Sequence, residues 1–229
     1  MTAIATSTPH PALVNYPKQA TFGRILPKNK IYEHSGANTR LKDLFVAQVE
    51  QIVWEYKLAP ETVNLPSKPA VPEVQVFGIV MKTAELSMDV LKCIDGAVQF
   101  PIIFELHYEG RTKVTAAHKR LNEGNASKCV ISDYFSTAWM PSDSVRVDMP
   151  VVLDLGGLYE ALLQRLIPLD PRPHESFAEL ISRQASVKEK QLEIEKIANI
   201  LTKEKQFNRK VEINDALRKM NNELKELCR

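Results

Sequence analysis

Glu105 and His107 stand two residues apart in the apolar run PIIFELHY, and His118 lies in the next run, RTKVTAAHKR. Residues two apart on a strand share a face. The Glu-x-His pair therefore has the types and spacing to hold a metal ion, or to act as a base with its orienting carboxylate. The plain alternative is a set of cross-strand polar pairs on a solvated sheet face. A divalent-metal nuclease needs carboxylates around its ion and a lysine to stabilise charge on the attacked phosphate. Glu105, Asp133 and Lys119 are the strand-borne candidates for those roles, although their spacing does not form an acidic-x-Lys pattern. No G-x-x-x-x-G-K-[ST] loop and no G-x-S-x-G elbow occur, so phosphate cradling and serine hydrolysis have no motif to rest on. Cys93, Cys129 and Cys228 are far apart and make no C-x-x-C pair. Cys93 and Cys129 read as buried structural thiols, and neither a metal nor a cofactor is expected.

Two basic sets offer a different chemistry. Lys203, Lys205, Arg209 and Lys210 gather around Phe207, an arrangement that presents cations to phosphates and one ring for stacking. Glu204 and Glu212 dilute it, and a charge-laced helix end is commonly just solvated. Arg111, Lys113, His118, Lys119 and Arg120 form the second set, on one arm of an expected hairpin. Such residues could face nucleic acid or an acidic partner, but lysines on an edge strand also block aggregation.

The elements that must position these groups follow from periodicity. Residues 1–21 are rich in Thr, Ser, Pro and Ala and read as a mobile lead-in. Phe22 to Glu33 reads as an extended segment around Pro27. Asn38 or Thr39 can cap a helix whose stripe runs from Leu41 through Phe45, Val49 and Ile52 to Tyr56, stopped by Pro60. VQVFGIVMK is too continuously apolar for an edge and should be a central strand. Ser87 caps a second helix, Glu109-Gly110 turns the strand PIIFELHY into RTKVTAAHKR, and KCVISDYFSTAWM gives a further strand. The order predicts an α+β domain at 22–170: a small antiparallel or mixed sheet with helices on one face. A leucine-spaced helix closes it before Pro168.

From His174 no Gly or Pro remains, and Ile194, Ile197 and Leu201 match a seam at Ile213, Leu217, Met220, Leu224 and Leu227. Residues 174–229 are predicted to form a coiled-coil-like antiparallel α-helical hairpin bent near Phe207 to Lys210. One continuous helix paired with a second copy, a homodimer, buries the same seam.

Composition bounds the rest. The 229 residues suffice for one domain and an appendage. With 44% hydrophobic and 25% charged residues the chain is globular rather than disordered. Thirty Lys plus Arg against 28 Asp plus Glu leave +2, so any electrostatic recognition must be local. No targeting leader or apolar run of spanning length is written, and the odd cysteine count suits a reducing compartment; the expected location is cytoplasmic, away from membranes.

EYKLAPETVNLP, VFGIVMK, IIFELHYEG and EKQFNRKVEIN together resemble a bacterial domain-of-unknown-function family, number four-three-nine-one. The resemblance spans nearly all of the chain after its start, with EKQFNRKVEIN its most particular part. It implies a setting beside helicases and DNA methyltransferases of restriction-modification or phage-defence type, and no catalytic motif. The expectation is a non-enzymatic accessory or adaptor subunit that binds a helicase or DNA methyltransferase, and DNA or RNA through the basic bend. The alternative is a divalent-metal-dependent nuclease.

Overall fold

The computed structural model describes residues 12–122 and 124–229, in two compact units, one reaching to Leu166 and the other spanning Ile167–Arg229. Residues 1–11 of the expected lead-in lie outside the described residues. From Ala12 the chain is packed: Leu13 and Val14 are buried, and Val14–Asn15 forms a short strand, β1. A single 3-10 turn at Lys18–Ala20 leads into β2, Thr21–Ile25. The expected extended segment thus holds only to Pro27, after which α1 (Lys28–Ser35) begins.

Asn38 caps α2 (Thr39–Gln48), its side chain accepting from the Leu41 N–H. The helix expected to run on to Tyr56 stops at Gln48, and Val49–Leu58 is a strand, β3. Two lysines explain the stop. Lys28 Nζ donates to the carbonyls of Phe45 and Val49 at 3.3 and 2.5 Å, and Lys82 Nζ to that of Val46 at 2.9 Å. Cations on the last carbonyls stabilise a helix C-terminus, and the branched and aromatic run Val49, Ile52, Val53, Trp54, Tyr56 then prefers a pleated surface.

A short helix, α3 (Pro60–Val63), precedes β4 (Val74–Met81), and α4 (Met88–Ala97), capped by Ser87, crosses over to β5 (Ile102–Tyr108). β6 (Arg111–Asn122) and β7 (Asn125–Ser136) complete a meander. At the β5–β6 turn Glu109 and Gly110 take φ of 45° and 70°, the left-handed pair that matches the twist of the two strands. The sheet runs β2-β3-β4-β5-β6-β7, with β4 central as expected. Only the β4–β5 pair in this order is parallel, because α4 carries the chain back across the sheet. Two dipeptide strands follow: β8 (Met140–Pro141) pairs with β6, and β9 (Val147–Asp148) runs parallel to β1.

On one face, Phe77, Ile79 and Met81 of β4 and Ile102, Phe104 and Leu106 of β5 form a cluster with Ile31, Phe45, Val90, Leu91 and Ile94 of α1, α2 and α4. The alternate residues Val76, Ile103, Val114 and Ala116 are also buried, outside that cluster. The last helix of this unit, α5 (Leu155–Gln164), buries Leu155, Leu158, Leu162 and Leu163, and its Tyr159 hydroxyl donates to the Ala117 carbonyl of β6 at 2.6 Å. This is the mixed α and β domain expected from the order of elements.

In the second unit, α6 (Phe177–Lys203) starts in a capping box between Ser176 and Glu179, and α7 (Phe207–Cys228) returns beside it as an antiparallel hairpin. The break falls at residues 204–206, not at 207–210. The Glu204 carboxylate accepts the backbone N–H of Lys205 and Gln206, which fixes the turn before Phe207. At the other end, Arg183 Nη1 donates to the Leu227 carbonyl at 2.9 Å and Arg172 Nη2 to that of Glu226 at 2.6 Å. The start of α6 is thereby tied to the end of α7. No helix among the described residues is long and apolar enough to cross a membrane.

Candidate functional site

Glu105 and His107 alternate with the core residues Phe104 and Leu106, so both point to the sheet face away from α1, α2 and α4. Glu55 joins them from β3. The β3–β4 register slips between Trp54, opposite Phe77, and Tyr56, opposite Val76, leaving Glu55 as the extra residue of a bulge. Its carboxylate extends over Gly78 of β4, where a Cβ would collide with Glu55 Oε1. A glycine inside a central strand weakens it; here the missing side chain makes room for the carboxylate. Gly78 is the register partner of Glu105, so Glu55 reaches across β4 toward β5. One ligand atom each from Glu55, Glu105 and His107 lies within 4.8 Å of the others.

The surroundings fix these groups. Glu105 is buried, with 1% of its surface exposed, and Arg146 binds both its oxygens, Nη1 at 2.9 Å and Nη2 at 2.6 Å. Arg146 Nη1 also donates to the Val14 carbonyl at 3.1 Å. His107 Nδ1 lies 3.1 Å from Thr112 Oγ1, which is 3.2 Å from Ser142 Oγ, while Nε2 faces Glu55 Oε1 at 3.7 Å. The rings of Tyr16 and Tyr56 stack 4.9 Å apart. Burial first, and then the charge of Glu105, pushes the Tyr16 hydroxyl far above its ordinary range; burial, followed by Glu55, raises Tyr56. Both remain neutral hydroxyls at physiological pH. Two carboxylates, an imidazole and one guanidinium thus converge on one sheet face.

The expected trio of Glu105, Asp133 and Lys119 is not brought together. Lys119 points to the opposite face, where Nζ donates to the Asp95, Val98 and Phe100 carbonyls at 2.7, 2.8 and 3.0 Å and pairs with Asp95 Oδ1 at 3.0 Å. It caps the end of α4. Burial raises the Asp95 carboxyl, with Lys119 and a hydrogen bond from the Tyr134 hydroxyl pulling the other way. Asp133 is exposed on β7, two strands from β5, where the register with β6 slips. His118 is held by burial below the ordinary histidine range, helped by Arg120.

The basic bend has a clearer surface. Lys203 ends α6, Lys205 lies in the turn, and Phe207, Arg209 and Lys210 open α7. All five are exposed, Phe207 at 77%. Arg209 Nε pairs with Glu204 at 3.3 Å. Cations in the first turn of a helix oppose its dipole; here backbone hydrogen bonds first, and then the charges of Arg209 and Lys210, hold the Glu204 carboxyl of the turn below its ordinary range.

A family model, domain of unknown function (DUF4391), matches residues 14–224. The chain belongs to the DUF4391 family. No curated protein and no solved structure matches it. Family membership covers both units, from β1 to the last turn of α7.

In this DUF4391 chain, Glu55, Gly78 and Arg146 are the site residues that sequence reasoning does not find. Apolar period assigns Glu55 to the helix that in fact ends at Gln48; the signal for its strand is the aromatic and branched density of VEQIVWEY. Gly78 stands alone inside an apolar run, which is the mark of a bulge or close approach. Arg146 sits in a loop composition with no motif around it.

Proposed function

We propose that the protein is an accessory subunit that docks a helicase or DNA methyltransferase through the bend of its C-terminal hairpin, with DNA or RNA reached by the same basic residues. One observation carries this reading. Phe207 and Val211, exposed at 77% and 45%, lie one turn apart on the side of α7 turned from the Ile213, Leu217, Met220 and Leu224 seam, and the exposed Lys203, Lys205 and Lys210 flank them in the chain. Burying two such side chains supplies roughly 3–5 kcal/mol before ordering costs. Surrounding cations steer the approach of an acidic surface or a phosphate backbone. The setting implied by the family resemblance supplies the class of partner.

Co-purification of the full-length chain from its host tests it. Phe207→Ser with Val211→Ser should cut retention of a helicase or methyltransferase by at least about tenfold, as for loss of a central apolar anchor; undiminished retention overturns the reading. Loss of a homodimer instead, in sedimentation, would assign the same face to a second copy. Replacing Lys203, Lys205, Arg209 and Lys210 by Ser should weaken nucleic-acid binding and flatten its salt slope by about one unit for each phosphate no longer neutralised. For the competing nuclease reading, magnesium- or manganese-dependent cleavage abolished by Glu105→Gln would displace the adaptor.

A further inference from the structure

We propose that Glu55, Glu105 and His107 bind one divalent first-row cation, of the Zn(II) or Mn(II) class, on the sheet face away from α4. The first argument is distance. Two donors about 2.1 Å from a common ion can be at most about 4.2 Å apart. Glu55 Oε1 and His107 Nε2, at 3.7 Å, already satisfy this, and the 4.8 Å that bounds all three donors closes with a small movement of the Glu55 side chain. That carboxylate is 29% exposed and free of any Cβ beneath it.

The second argument is orientation. The tautomer a cation would select is the one in which Nδ1–H donates to Thr112 Oγ1, 3.2 Å from Ser142 Oγ, and the Nε2 lone pair is directed toward Glu55. A ligating histidine is commonly fixed this way, through a partner on its other ring nitrogen. In this tautomer a lone pair faces a carboxylate oxygen at 3.7 Å, an arrangement that a cation between them stabilises. Arg146 neutralises one carboxylate and anchors Glu105 by both oxygens, so Glu105 contributes a remaining lone pair from a rigid position. One net negative charge, an imidazole and two oxygen donors suit Zn(II) or Mn(II); Ca(II), which needs six to eight oxygens, fits poorly. Partial exposure of Glu55 and His107 leaves the remaining coordination positions to water.

The backbone supplies a third argument. A bulge in β3 and a glycine in the middle of β4 both weaken a sheet, and both serve to bring one carboxylate over the strand toward Glu105 and His107.

The experiment titrates ZnCl2, and separately MnCl2, into the chelator-treated full-length protein by calorimetry. One equivalent should bind, with CaCl2 giving no comparable heat. Glu55→Gln and His107→Gln should each weaken binding by at least about tenfold. Gly78→Ala should do so too, since its Cβ displaces the Glu55 carboxylate without removing a donor. Thr112→Val should weaken binding by about tenfold, and Thr112→Ser should restore it, which separates orientation of His107 from mere packing. Circular dichroism identifies variants that retain the fold, and Glu55→Gln, altering a part-exposed side chain, is the arbiter if His107→Gln does not. No binding up to about 1 mM, where affinity is only about 4 kcal/mol, overturns the proposal. So does binding that Glu55→Gln and Gly78→Ala leave unchanged, which would place the ion elsewhere on the chain.

Discussion

Glu105 is a buried carboxylate whose charge is acceptable only because Arg146 meets both its oxygens. Pairing of this kind is invisible in sequence: the two residues are 41 apart, and the arginine lies in a segment with no periodicity. The Glu-x-His spacing is legible because a strand repeats every two residues, whereas Glu55 depends on a bulge that no local pattern announces. A second carboxylate carries a pH dependence. Arg183 and the Arg172 N–H hold Glu175 down to about 2. Its folded value lies below the ordinary one, so the stabilisation is complete above the unfolded carboxylate range, roughly pH 4–5, and fades as pH falls toward 2. Hydrogen exchange should therefore show the start of α6 and the end of α7 losing protection between about pH 4 and pH 2, and Arg183→Gln should remove most of that dependence. Equal acid sensitivity in the variant would mean that other carboxylates control the hairpin.

At the scale of elements, the strands β4 to β6 and the helices α4 and α5 are readable because caps, turns and apolar period agree. Ser87 caps as its type suggests, and Glu109-Gly110 takes the twist the hairpin needs. The join of α2 and β3 is not readable. Apolar residues at threes and fours run straight through it, and the lysines that end the helix come from α1 and from beyond β4. Lys119 misleads for a related reason: a lysine on a strand suggests chemistry or solubility, while its partners, three carbonyls at the end of α4, exist only in the fold. The bulge leads to an expected outcome. Deleting Glu55 alone lets Trp54 and Tyr56 pair consecutively with Phe77 and Val76, which closes this slip of the ladder and leaves the one between Val49 and Gln51. The deletion variant should fold with equal or higher stability in urea, within about 1 kcal/mol, since surface changes off the core are small, yet lose the proposed cation. A collapse of stability would show that the bulge serves the sheet itself.

For the whole molecule, the near-neutral charge conceals two local arrangements: a converging acidic and imidazole cluster in the larger unit and a basic, ring-bearing bend in the hairpin. The hairpin is legible from its leucine spacing and lack of Gly and Pro; its turn is displaced by a few residues because Glu204, an ordinary surface type, folds back on its own backbone. The pairing of β1 with β9 has no sequence signal at all, being two residues against two. It bears on the order of events in time. Arg146 reaches the Val14 carbonyl across 132 residues of chain, a closure whose entropy must be met before its few contacts repay it. In pulse-labelled refolding, the amides of β4 to β6 should gain protection before the Val147 N–H, which donates to Leu13 at 2.9 Å; simultaneous protection would refute the sequence. Because that late closure brings in Arg146, the guanidinium that anchors Glu105, a chain still being synthesised carries the Glu105 carboxylate and the His107 imidazole long before it carries their finished site.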